Sequence, residues 1–69
     1  MNEQDMIHKL EKKFDFLESI YFERINERGQ HVFSCVDAGA ESYLFVDAEG
    51  WVTSRVKTKK FADVLGSIH

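Results

Sequence analysis

Two segments of the 69-residue chain, Asn26-Glu27-Arg28-Gly29 and Asp47-Ala48-Glu49-Gly50, carry the same punctuation: Asn or Asp first, Gly fourth. These are the preferences of a type I turn at its first and last positions. Glycine there also suits the left-handed residue of a three-residue hairpin with a bulge. Each segment is flanked by runs rich in Val, Ile, Phe, Tyr and Thr, with a third turn near Asp37-Ala38-Gly39-Ala40. The stretch from Ile20 to Lys57 is therefore expected to be an antiparallel meander of four strands, about 20–26, 31–37, 42–47 and 51–57.

The two ends have a different period. Met6, Ile7, Leu10, Phe14 and Leu17 recur every three or four residues, which predicts an amphipathic helix from Asn2 to about Ser19. Asn2 is a suitable N-cap, and Glu3 and Asp5 complement the dipole of the first turn. Phe61, Val64, Leu65 and Ile68 are spaced i, i+3, i+4, i+7, so a second helix is expected over Thr58 to Ile68. Gly66 either ends that helix early or costs about 1 kcal/mol inside it. The expected fold is one α+β domain over residues 1–69: a four-stranded antiparallel β-meander flanked by N- and C-terminal helices.

Leu, Ile, Val and Phe make up 20 of the 69 residues, above the roughly 20% below which chains stay disordered. No apolar run approaches the roughly 20 residues needed to span a bilayer. The polar start is unlike a secretory signal. A single cysteine, Cys35, forms no intrachain disulfide, which suits a reducing, cytoplasmic setting.

Pairing outward from the shared turns sets Val46 opposite Val52, Leu44 opposite Ser54 and Ile25 opposite His31. With Asp37 placed opposite Ser42, one sheet face carries Tyr21, Ile25, Phe33, Cys35, Leu44, Val46, Val52 and Val56. The other carries Ile20, Phe22, Arg24, Val32, Val36, Tyr43, Phe45, Trp51 and Arg55. Both are apolar, whereas a sheet with one wet face alternates apolar and polar residues. The second face mixes aromatics with arginine, the types enriched in interface cores. Phe22, Arg24, Tyr43, Phe45, Trp51 and Arg55 are therefore the candidate partner-binding residues of a non-enzymatic interaction module. Such a module would be a small regulator, adaptor or inhibitor, acting as a homodimer or on another protein. The ordinary alternative is that one helix covers each face.

A second class of function rests on Arg55, Lys57, Lys59 and Lys60. At a helix start these cations would meet free N–H groups and hold phosphate. Lys59-Lys60-Phe61-Ala62 at that position resembles double-stranded RNA-binding domains, which implies lysines on backbone phosphates. The resemblance covers those four residues. Gly29-Gln30-His31 departs from that family's Gly-Pro loop, and the net charge of −3 departs from a basic footprint. The alternative function is a small nucleic-acid-binding or nucleic-acid-mimicking protein of phage type that inhibits a host enzyme. His8, His31 and Cys35 do not have zinc-ligand spacing. A Cys35–His31 nucleophile pair lacks an orienting group. The sequence carries no cofactor motif, and no enzyme activity is expected.

Overall fold

A computed structural model describes residues 2–69. The elements are α1 (Glu3–Lys13), β1 (Leu17–Ile25), β2 (His31–Asp37), β3 (Ala40–Val46), β4 (Trp51–Val56) and β5 (Asp63–Ser67). The strands form one sheet in the order β1-β2-β3-β4-β5, every neighbouring pair antiparallel. The fold thus has one helix and five strands. The C-terminal helix expected from the spacing of Phe61, Val64, Leu65 and Ile68 does not form, and its residues supply the fifth strand.

The start of α1 follows the sequence signals. Asn2 Oδ1 accepts a hydrogen bond from the Asp5 N–H at 2.8 Å. Glu3 and Asp5 lie in the first turn and Lys12 and Lys13 in the last, which matches the helix dipole at both ends. The helix stops at Lys13, well before Ser19. Beyond it, Leu17 pairs with Asp37 and Glu18 with Val36. Sheet pairing of this β-prone stretch replaces the last helical turns, while Phe14 and Leu17 stay buried in the core.

The two shared turns form as their sequences predict. Gly29 (φ 77°) donates to the Asn26 carbonyl, and Gly50 (φ 87°) donates to that of Asp47, both at 3.0 Å. Asn26 Oδ1 accepts from the Arg28 and Gln30 N–H groups, and Asp47 Oδ1 from those of Glu49 and Trp51. The middle turn is tighter than expected. Asp37 faces Ala40, with only Ala38 (φ 50°) and Gly39 (φ 82°) between them. Two consecutive positive φ values are those of a type I′ hairpin turn. Ser42 accordingly pairs with Cys35 and not Asp37. That offset is two residues, an even number, so the faces of β3 and β4 are unchanged.

Strand β1 departs further. Its register with β2 slips between Phe22 and Arg24 and again between Glu18 and Tyr21, where Ser19 has φ 55°. Each slip of one residue exchanges faces. Phe22 and Ile20 therefore pack against the core, and Tyr21 turns to the opposite side. Bulges of this kind are common on edge strands, where they also discourage pairing with another chain.

The core lies between α1 and one face of the sheet. Met6, Leu10, Phe14 and Leu17 meet Phe33, Cys35, Leu44, Val46, Val52 and Ile68. Strand β5 closes the side of β4. Val52 pairs with Gly66 and Trp51 with Ser67, and the Ile68 N–H reaches the Gly50 carbonyl at 2.9 Å. Gly66 adopts φ 147°, beside a register slip at Leu65.

Candidate binding face

The face opposite α1 has no helix or strand over it among the described residues. Register places Arg24, Val32, Phe45, Thr53 and Val64 in one row across it. The next row holds Tyr21, Ser34, Tyr43 and Arg55. Trp51 lies at the turn end, opposite Ser67. Five of the six expected partner-binding residues thus share this face: Arg24, Tyr43, Phe45, Trp51 and Arg55. Phe22 does not. It stacks edge-on against Phe33 at 5.6 Å and tilts against His31 at 5.8 Å. The bulge at Glu23 moved it, and nothing in the sequence marks that bulge. The same slip brings in Tyr21, which alternation had assigned to the core.

The centre of the face is ordered by its own side chains. Val32 and Ser34 are buried although no element covers them. The Ser34 hydroxyl donates to the Glu23 carboxylate, and Glu23 also lies 3.7 Å from the Arg24 guanidinium. Tyr43 and Phe45 sit 6.1 Å apart with Arg55 over both rings, at 5.3 and 6.0 Å. Lys57 lies 5.0 Å from the Tyr43 ring and 3.9 Å from the Glu41 carboxylate. The contacts of Arg55 and Lys57 with the rings are cation–π pairs, each of about 0.5–1 kcal/mol at exposed sites.

The cations expected at a helix start are redistributed, because no helix starts there. The Lys57 and Lys59 N–H groups bond to the Glu41 and Val56 carbonyls, both at 2.9 Å. The backbone at Lys57–Lys60 is a connection between β4 and β5, with no helix terminus to bind an anion. The double-stranded RNA-binding resemblance loses its structural basis for the same reason. Arg55 Nη1 instead donates to the Lys59 carbonyl at 2.9 Å, which ties the connection to the face. The result is an open groove of about 870 Å³. Arg24 and Arg28 line it from the β1 side, Arg55 and Lys60 from the β4 side, with Phe45 and Thr53 between them.

His31 and Cys35 are four residues apart on one strand, roughly 13 Å at about 3.3 Å per residue. Burial, with some help from the Asp37 charge and against that of Lys57, pushes the Cys35 thiol up to about 11. It is a protonated core side chain at neutral pH. No group of three His, Cys, Asp or Glu side chains is arranged to hold a metal among the described residues. None of their helices is long and apolar enough to cross a membrane.

The raised thiol has a measurable consequence. The unfolded chain loses this proton near the ordinary value of 9.0, while the folded chain keeps it to about 11. Between those values the unfolded state binds fewer protons, so stability falls as pH rises. The full contribution is present below about pH 9, and about 2–3 kcal/mol of it is gone by pH 11. Urea unfolding should therefore show a steeper decline from pH 8 to 11 in the natural chain than in Cys35→Ala. Equal slopes would contradict the assignment.

Comparison of the chain with models of protein families, with curated proteins and with solved structures finds no match in any of the three.

Proposed function

We propose that this chain is a non-enzymatic protein-interaction module, a small regulator, adaptor or inhibitor that works through the uncovered sheet face. The observation that carries the reading is the uncovered face itself, with Tyr21, Trp51 and Val64 more than half exposed on it. Scattered surface apolar residues need no explanation. A contiguous sheet face bearing them is the kind of surface that partners cover. Trp51 is the anchor in this reading, because Tyr43 and Phe45 are already half-buried among their neighbours. Trp51 and Val64 lie on neighbouring strands and flank Thr53 at the border of the groove, and a second copy is the simplest occupant of this apolar corner.

Sedimentation equilibrium across a concentration series tests this form. A species of twice the 8.0 kDa chain mass that reverts to monomer on Trp51→Ala is the expected result. A chain that stays monomeric at every concentration would overturn self-association.

A further inference from the structure

We infer that the groove across the uncovered face seats an extended acidic segment of a partner protein, between Arg24 and Arg28 on one wall and Arg55 and Lys60 on the other. The inference rests on the reading of this face as a protein-binding surface and names the chemistry of what it binds.

Charge is the first ground. The chain has 12 acidic and nine basic residues, yet four cations and one carboxylate, Glu27, line the groove. Neutralisation from within is slight. Arg24 has Glu23 at 3.7 Å, and the other ion pair among the described residues, Lys57 with Glu41, lies outside the groove. Arg28, Arg55 and Lys60 have no carboxylate within salt-bridge distance there. Like charges gathered in one depression repel, and an anion between them relieves that repulsion.

Preorganisation is the second. Arg55 is held by the Lys59 carbonyl and by the rings of Tyr43 and Phe45. A guanidinium has five N–H donors, and this bond uses one. A side chain already ordered loses little entropy on gripping a carboxylate, and its planar fork matches that group.

The same contacts favour a polypeptide over a single-stranded nucleic acid. Stacking of bases needs open ring faces, and Arg55 and Lys57 already sit over Tyr43 and Phe45. A long polyanion would also extend over the acidic remainder of the surface. A short acidic segment lies within about 8 Å of the groove cations, a Debye length at physiological salt. Strand addition at the β1 edge is discouraged by its two register slips, and the groove residues run across the strands from β1 to the β4–β5 connection, so a segment seated there lies across the face.

Fluorescence anisotropy with a labelled hexaglutamate peptide tests the inference. The paired substitution Arg28→Glu with Lys60→Glu changes two exposed side chains. It should weaken binding about a hundredfold, as expected for two lost charge-assisted contacts. Lys9→Glu with Lys12→Glu on α1 makes the same change in net charge away from the groove and should weaken binding by less than about tenfold. Equal losses in the two variants, or no binding of the peptide to the natural chain, would overturn the inference. So would tighter binding of an oligothymidylate of equal charge through the same cations. Self-association is read separately through Trp51→Ala, so failure of the groove and failure of the interaction face give different results.

Discussion

Replacing Phe33 with alanine is expected to cost about 3–5 kcal/mol, enough to unfold most of the population or lower the melting temperature by at least about 12 °C. Phe33 is fully buried at the centre of β2, with Phe22 edge-on against it. Its removal leaves a cavity under α1 that a sheet of this size cannot collapse around. A chain of 69 residues has about 3–10 kcal/mol of stability in total. Phe45→Ala, on the adjacent strand but the opposite face, should cost only about 1–2 kcal/mol. It loses a tilted contact with Tyr43 and a cation over its ring, and no packed layer covers it. Thermal denaturation followed by circular dichroism distinguishes the two. Equal losses would mean that the two faces are not divided as described.

Much of that division can be read from the sequence, because it depends on parity. The Asp47–Gly50 turn sets Val46 opposite Val52, as observed, and every residue of β3 and β4 takes its face from that pairing. An error of two residues at the middle turn left the faces intact. Strand β1 was legible only near its turn, where Ile25 pairs with His31. A bulge exchanges faces without leaving a compositional mark, and the one at Glu23 misplaced Phe22, Ile20 and Tyr21. The candidate face was visible as an excess of apolar residues on both sides of the sheet. The groove was not. It brings Arg24 and Arg28 together with Arg55 and Lys60, which are far apart in sequence, and it depends on a connection whose path follows from β5.

The fifth strand accounts for the remaining discrepancy. An isolated helix shorter than about 12–15 residues is marginal in water and relies on packing its apolar stripe. Gly66 inside it would cost about 1 kcal/mol more. Strand β4, left at the edge, would present unpaired N–H and C=O groups beside the core. Pairing with Asp63–Ser67 satisfies those groups, and Gly66 supplies the φ of 147° that the strand's irregular register requires. Periodicity measures one apolar stripe and cannot weigh it against an edge that exists only after folding.

The C-terminal residues give the most direct test of strand against helix, through Ile68 and Phe61. On a helical stripe the two side chains would both face the core, and alanine at either position would be costly. In the structure, Ile68, directly after β5, is 7% exposed within the core cluster, whereas Phe61 is 86% exposed in the connection before the strand. Ile68→Ala is therefore expected to cost about 2–4 kcal/mol. It removes packing at the point where the chain end is tied to the Gly50 carbonyl. Phe61→Ala should stay within about 0.5 kcal/mol of the natural chain, as surface substitutions do. Urea midpoints of the two variants decide the matter. A large loss at Phe61 in dilute solution would restore the helix, and a loss that appears only at concentrations where the chain self-associates would place Phe61 in the interface.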